Sequence, residues 1–158
     1  MFKWSLEDLI RKYKFECDYF VETGTHFGGG IDSALKVGFE KYYSVEMSKD
    51  RHMYCVDKYK DFDNVFLFNS DSTSWMQSFI DSVDKRSVFW LDAHGEGGGA
   101  PVLDELDIIS KNSIKNHTII IDDIPIYYGD GSVVKQKCLE INKDYNVLLT
   151  PNQTRQDY

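Results

Sequence analysis

Acidic side chains recur at one kind of place in this chain, at or just after the end of short apolar segments. The segments have the pattern of buried strands, and their acids are Glu22, Glu46, Asp71, Asp92, Asp122 and Asp123. Carboxylates can accept hydrogen bonds from sugar hydroxyls and amino groups, hold hard cations or take up a proton. Because parallel strands end at the same edge of a sheet, the six acids predict one shared ligand site.

A glycine-rich segment, VETGTHFGGG (21–30), surrounds the first of these acids. Glycine lets backbone N–H groups approach a ligand closely at the start of a helix. The segment lacks the GK[ST] ending of a phosphate-binding P-loop, and it matches the GxGxxG spacing of dinucleotide folds only in part. Glu22, two residues before Gly24, suits a cationic amino group; the alternative is an acid that caps the next helix.

Two further acids suit an adenosine group. Glu46 closes the second strand, where an acid can accept hydrogen bonds from both ribose hydroxyls, whether the cofactor is NAD or S-adenosylmethionine. Asp71 follows the third strand and could accept from the adenine amino group. The alternative is that Asp71 is the N-cap of the helix that starts at Ser72.

The fourth and fifth strands end in residues that could take part in a reaction. His94 follows Asp92 closely, and histidine exchanges protons near neutral pH, so His94 is a candidate general base. The alternative is a hydrogen-bonded structural histidine. Asp92, Asp122 and Asp123 could together hold Mg²⁺ or Ca²⁺. Helix capping and loop hydrogen bonds are the favoured interpretation of these three acids, so a divalent metal is not expected.

Strands and helices alternate along the chain. Predicted strands cover 19–23, 41–47, 64–69, 87–93, 117–123 and 145–150; predicted helices are one capped by Ser5, then 31–39, 49–60, 72–83, 101–111 and 132–142. The runs VFLF, VFWL and TIII are apolar on both faces, which is typical of parallel strands covered by helices. The pattern predicts an α/β fold: a three-layer αβα sandwich with a Rossmann-like, mostly parallel sheet of about six strands, in one domain over 1–158.

The ordered series VETGTHFGGG, SVEMS, FNSDST, FWLDAH and IIIDDI resembles motifs I to IV and the following strand of class I S-adenosylmethionine-dependent methyltransferases. It is most similar to a small branch with ExGTxxGG in motif I and LDAH at strand four. The resemblance covers about Tyr19 to Ile124. It implies S-adenosylmethionine as cofactor, with a binding site formed by Glu22, Thr23, Gly24, Thr25, Gly28, Glu46, Met47, Asp71, Ser72 and Asp92.

The resemblance also implies a role for particular residues. Glu22 and Gly24 would meet the methionine moiety, and Glu46 the ribose. Asp71 would meet the adenine, and Asp92 would stand beside the transferable methyl group. With Asp92 and His94 as catalytic residues, the expected activity is O-methyl transfer to a small-molecule or sugar-like acceptor.

The sequence departs from the family after Asn142, where room remains for one strand instead of a hairpin of two. This predicts a shortened C-terminal hairpin. It also motivates two alternatives on the same fold: an enzyme that degrades S-adenosylmethionine as a lyase or hydrolase, and a non-catalytic binding module. A nicotinamide oxidoreductase is a more distant alternative.

Composition narrows the function classes further. The 158 residues are 42% hydrophobic and 15% aromatic, which is enough for a packed core. Acids outnumber Lys and Arg by 26 to 18, which argues against tight, nonspecific nucleic-acid binding. We find no apolar run of the roughly 18 residues that span a bilayer, and the start is too charged for a signal peptide. The three cysteines, Cys17, Cys55 and Cys138, predict neither a disulfide framework nor a zinc site, which favours a cytoplasmic protein. We expect it to act on a small molecule and to have no nucleic-acid or membrane partner. It is also a candidate homo-oligomer.

Overall fold

The structure, a computed structural model, describes residues 5–94 and 99–148. Within these residues five strands form one sheet: β1 (Tyr19–Thr23), β2 (Lys41–Glu46), β3 (Val65–Asn69), β4 (Ser87–Leu91) and β5 (Thr118–Ile121). The helices are α1 (Leu6–Tyr13), α2 (Gly29–Val37), α3 (Lys49–Lys58), α4 (Ser72–Phe79), α5 (Val102–Ile109), α6 (Ile124–Tyr127) and α7 (Ser132–Ile141). A single 3₁₀ turn, Ile80–Ser82, continues α4.

The sheet has the order β3-β2-β1-β4-β5, and every neighbouring pair is parallel. The strand order reverses between β1 and β4: β2 and β3 lie on one side of this point and β5 on the other, so the connection from β3 to β4 crosses from one half of the sheet to the other. Ligands of open parallel sheets bind at such a switch point, outside the carboxyl ends of the strands. The topology therefore points to the ends of β1 and β4 as the place for a site.

Alternating strand residues supply two core layers. Phe20 and Val88 pack with α1 and α2 on one face, whereas Val21 and Phe89 pack with α4, α5 and α7 on the other. A third, smaller cluster joins α2 and α3 through Ile31, Cys55 and Tyr59. The predicted three-layer αβα sandwich is confirmed, with five parallel strands in the described residues rather than about six.

Polar caps fix where helices begin. Ser5 caps α1 as predicted, because its Oγ accepts from the Asp8 N–H at 3.1 Å while Asp8 Oδ2 accepts from the Ser5 N–H at 3.1 Å. All three cysteines are buried free thiols. Over residues 5–94 and 99–148, no helix is long and apolar enough to cross a membrane.

The structure differs from the predicted elements most clearly near the C-terminal end, at the start of α2 and after β5. Residues 145–148 form no strand, since Tyr145 and Val147 turn their side chains onto the α4–α5–α7 core instead; the end of the predicted sixth strand, 149–150, lies outside the described residues. Helix α2 begins at Gly29 rather than residue 31, so two of the glycines belong to its first turn. The sequence reading also missed α6, a single turn with a proline at its start.

Candidate functional site

The loop after β1 is held against the end of β4 by one glycine. Gly24 has φ +85°, and a Cβ there would lie 2.6 Å from the carbonyl oxygen of Asp92. Its N–H donates to the Val45 carbonyl at 3.0 Å, which ties the loop to β2 as well. Only glycine fits this backbone conformation together with so close an approach. The ends of β1, β2 and β4 consequently meet at one point.

Helix α3 anchors the start of α2. The N-cap of α2 is Gly28, with φ +87° and no side-chain cap. The Tyr59 hydroxyl lies 2.7 Å from the Gly28 carbonyl and 2.7 Å from Asp32 Oδ1, and Lys58 Nζ donates to the Phe27 carbonyl at 3.0 Å. A Cβ on Gly28 would lie 2.2 Å from the Tyr59 hydroxyl. The first amides of α2 are thereby held in place at the edge of the sheet.

Glu22 lies beneath this helix start and is 1% exposed. Burial raises its pKa to about 8; Asp92 adds to the rise, and a hydrogen bond from Ser44 opposes it. Ser44 Oγ donates to Glu22 Oε2 at 2.5 Å and lies 2.6 Å from Thr25 Oγ1. A Cβ on Gly30 would lie only 1.7 Å from Glu22 Oε1, so the carboxyl occupies space that this glycine leaves open.

Glu46 is oriented by backbone donors. It is buried at the end of β2, where Oε2 accepts from the His26 N–H at 2.8 Å and Oε1 from the Ser48 N–H at 2.8 Å. An ionised carboxylate has about four lone-pair positions, so acceptor capacity is left for ribose hydroxyls. Met47, the next residue, is exposed at the rim. The predicted ribose contact of Glu46 is compatible with this geometry and stays a prediction.

Asp71 is the N-cap of α4, as the alternative interpretation held. Its Oδ1 accepts from the Ser74 N–H at 2.9 Å and from Thr73 Oγ1 at 2.6 Å. These hydrogen bonds lower the pKa of Asp71. Ser72 is the buried first residue of the same helix. Capping engages one oxygen of Asp71, and the adenine contact stays a prediction.

The sequence reading missed Glu105, a fully buried acid in the first turn of α5. Burial raises its pKa to about 7, against the effect of the Ser72 and Thr23 hydroxyls. A helix-start acid is normally solvated, which is why it was passed over. A signal was available, however: in VLDELDII, Glu105 falls on the same helical stripe as the buried Val102 and Ile109.

A second group of side chains meets where β4 and β5 end. Ligand atoms of Asp92, His94 and Asp123 all lie within 4.8 Å of one another. Asp123 has φ +55° and does not cap α6 with its side chain. Asp122, the third candidate ligand for a cation, is not part of this group; its Oδ1 accepts from the Asp123 N–H at 2.8 Å, in line with the favoured interpretation of loop hydrogen bonding. The group has donors for a divalent ion, or it can hold the imidazole between two carboxylates.

One open cleft collects most of the predicted residues. It is lined by Glu22, Gly24, Thr25, Glu46, Met47, Asp71, Ser72, Asp92, His94, Asp122 and Asp123. Thr23 and Gly28 are absent from this lining; Thr23 is fully buried, and Gly28 supports the start of α2. The predicted acids therefore line one cleft, and their use as one shared ligand site stays a prediction.

Comparisons with known proteins place this fold. No protein-family model matches the chain, and no curated protein matches its sequence. Among solved structures it is similar to a Staphylococcus aureus protein provisionally assigned as a caffeoyl-CoA O-methyltransferase, with TM-score 0.62, 14% identity, and 90% of this chain and 72% of that one covered. It is also similar to a precorrin 8W decarboxylase from Methanobacterium thermoautotrophicum, with TM-score 0.59, 19% identity, and 91% and 72% covered.

A methyltransferase from Geobacter sulfurreducens gives TM-score 0.57 at 16% identity, with 76% of this chain covered; the chain spans only 58% of that protein. At such identities the similarity shows the fold alone. The fold is that of class I S-adenosylmethionine-dependent methyltransferases.

Proposed function

We propose that the chain binds S-adenosylmethionine in this cleft and transfers its methyl group to a hydroxyl of a small-molecule or sugar-like acceptor. The observation that carries the proposal is the convergence of acids from the ends of all five strands on one cleft at the switch point. Similarity of the fold to methyltransferases supports it. Acceptors of other kinds are outcomes of the tests below.

The donor set fits the cofactor. S-adenosylmethionine carries an ammonium and a sulfonium charge, and the cleft is lined by carboxylates such as Glu22, Glu46 and Asp92. The close packing at Gly24 brings the backbone of the β1 loop to the cleft without a side chain in the way. Glu46 would hold the ribose, Asp71 and Ser72 the adenine end, and Glu22 the amino end. The bound cofactor supplies an electrophilic methyl group.

The chain itself positions an acceptor and takes its proton. His94 is exposed at the cleft, within reach of Asp92 and Asp123. In the proposed mechanism, the carboxylates orient the imidazole, and His94 accepts the proton of the acceptor hydroxyl as methyl transfer proceeds. Asp92 also adds negative charge beside the methyl position. This assignment needs no metal ion, although the same three side chains could hold one.

Calorimetry tests the cofactor assignment first. S-Adenosylmethionine and S-adenosylhomocysteine are each titrated into the folded chain, and one binding site per chain is expected for both. Glu46→Ala removes the two-hydroxyl acceptor and is expected to weaken binding by about a hundredfold, because hydrogen bonds to charged groups contribute about 1.5–3 kcal/mol each. Absence of binding by folded wild type would refute the proposal.

Turnover separates the proposal from its alternatives. S-Adenosylhomocysteine release is measured over a panel of sugars and phenols, with an acceptor-free reaction and a chelator-treated reaction beside it. Release is expected to require an acceptor, to survive chelation and to fall by about a hundredfold or more in His94→Ala. Cofactor consumption without acceptor would favour a lyase or hydrolase, and arrest by chelation would make the Asp92–His94–Asp123 group a metal site. Binding without turnover on any acceptor would favour a binding module.

The compartment is part of the proposal. Three free, buried thiols are compatible with a reducing environment, which supports a cytoplasmic location. A small-molecule substrate is proposed because the net charge of -8 and the carboxylates that line the cleft do not favour nucleic acid.

A further inference from the structure

The carboxyl of Glu105 is a buried hydrogen-bonding group that has no role in the proposed reaction. It is 0% exposed, and among the described residues neither of its carboxyl oxygens has a hydrogen-bond partner. Thr23 Oγ1 is also buried without a partner in the described part of the chain. Buried polar groups are almost always paired, so three such atoms in one place require an explanation.

The three atoms lie together behind the cleft. The Ser72 and Thr23 hydroxyls are the hydrogen-bonding neighbours of the Glu105 carboxyl, yet neither reaches hydrogen-bond geometry with it. Thr23 ends β1 immediately before Gly24, and Ser72 opens α4 immediately after Asp71. Glu105 therefore stands between the loop proposed for the methionine end of the cofactor and the helix start proposed for its adenine end.

The backbone of Glu105 is fixed, so its carboxyl is held at a constant place. Its N–H donates to the Pro101 carbonyl at 2.9 Å, and its neighbours Val102 and Leu106 are buried in the core. Helix α5 packs against α4 and α7. Hydrogen bonds to this group therefore require a change in the β1 loop, in the α4 start or in the Glu105 side chain.

We propose that Glu105 is a positioning residue of the cofactor site, which in its neutral form hydrogen-bonds the Thr23 and Ser72 hydroxyls when the cofactor is bound. The inference rests on the proposed function. A neutral carboxylic acid can donate to one hydroxyl and accept from the other without burying a charge. A carboxylate could accept from both hydroxyls, but it would place a negative charge in a buried position near Asp71. The acid thereby sets the spacing between the two loops that hold the two ends of the ligand.

Burial is the main cause that disfavours a negative charge on Glu105, and Asp71 at the start of α4 and Asp104 on α5 add to it. A charge on Glu105 would in turn raise the pKa of Tyr128, after α6. No cation faces it among these neighbours. With burial, this raises the pKa of Glu105 to about 7, so the carboxyl ionises within the physiological range.

The test compares S-adenosylhomocysteine affinity in wild type, Glu105→Gln and Glu105→Leu at several pH values. Gln keeps both a donor and an acceptor at every pH, so the ratio of its affinity to that of wild type is expected to rise about tenfold from pH 6 to pH 8. Because Glu22 titrates in both proteins, its effect on the affinity cancels in this ratio. At pH 6, Glu105→Leu is expected to bind about tenfold more weakly than wild type, and Gln within about threefold of it.

A matched control lies in the same helical turn. Asp104 is exposed, so Asp104→Asn removes one negative charge without entering the buried group. Because that charge only adds to the effect of burial on Glu105, the affinity ratio of Asp104→Asn is expected to change with pH far less than that of Glu105→Gln. A constant ratio for Glu105→Gln, or wild-type affinity in folded Glu105→Leu, overturns this inference alone. Folded wild type that binds no S-adenosylhomocysteine overturns the proposed function and the inference with it.

Discussion

Two buried glutamates lie on opposite sides of the end of β1, and they differ in their hydrogen-bond partners. Glu22 lies on the α2 side, where Ser44 donates to it and Gly30 leaves space for it. Glu105 lies on the α5 side, where two hydroxyls are near but its carboxyl has no hydrogen-bond partner among the described residues. Burial raises the pKa of both, to about 8 and about 7. One side of the site is thus already formed, and we propose that the other is completed by the ligand.

The largest effect is expected from the glycine beside Glu22. Gly30→Ala places a Cβ at 1.7 Å from Glu22 Oε1, so the carboxyl or the first turn of α2 must move. We expect a loss of a few kcal/mol in the free energy of unfolding, as for other overpacked cores, and loss of S-adenosylhomocysteine binding. Denaturant unfolding and calorimetry measure the two effects.

Gly29→Ala is the matched control, since it changes the same helical turn where no atom lies within 4 Å of the new Cβ. It is expected to leave stability unchanged or to raise it by up to about 1 kcal/mol, because alanine favours helix. Equal effects of the two substitutions would show that the packing of Glu22 against α2 is unimportant.

The two glutamates should also make stability fall as pH rises. A carboxyl whose pKa is raised on folding binds its proton more tightly in the folded state, so its contribution is complete below pH 4.5 and is lost as pH rises through the folded pKa, about 8 for Glu22 and about 7 for Glu105. Glu22→Gln and Glu105→Gln are each expected to remove about 1 kcal/mol or more of this loss between pH 5 and pH 8.

Unfolding by denaturant at each pH measures the slope. Each variant should have a shallower slope than wild type from about pH 4.5 upward; this difference should end near pH 7 for Glu105→Gln and near pH 8 for Glu22→Gln, where the folded carboxyl of wild type has also ionised. Unchanged slopes in both variants would mean that the two carboxyls are ionised in the folded chain at neutral pH.

The smallest effects are expected from substitutions of the hydroxyl side chains that lie near Glu22 and Glu105. Ser44→Ala breaks the 2.5 Å hydrogen bond to Glu22 and is expected to cost about 1–3 kcal/mol, because buried groups are left without a partner. Thr23→Val removes a hydroxyl that makes no hydrogen bond within the described residues, so stability is expected to change by less than about 0.5 kcal/mol. Its S-adenosylhomocysteine affinity should nevertheless fall severalfold. A reversed order of the two stability losses would contradict the comparison.

The sequence predicted residues of the candidate site where local signals were strong. Glu22, Gly24 and Glu46 were predicted to lie together because strand ends and glycines are adjacent in the chain and parallel strands bring such ends together, and the structure places all three along one cleft. The alternating pattern likewise predicted the layers.

Long-range packing explains what was missed. Glu105 is buried where α5 packs near the start of α4 and the end of β1. Its place on the helical stripe of Val102 and Ile109 was the one local signal, and an acid in the first turn of a helix is normally interpreted as solvated. The segment at 145–150 has a strand pattern, but Tyr145 and Val147 find apolar partners on the core without entering the sheet. Asp123, at φ +55°, lies with His94 because of a local backbone conformation that composition does not predict.

The central claim is that the cleft over β1 binds S-adenosylmethionine through a site built around Glu22 and the start of α2. Titration of S-adenosylhomocysteine into wild type, Gly29→Ala and Gly30→Ala tests it most directly. We predict one site per chain in wild type and Gly29→Ala, and none in Gly30→Ala. Folded wild type without binding, or Gly30→Ala with wild-type affinity, would contradict the account.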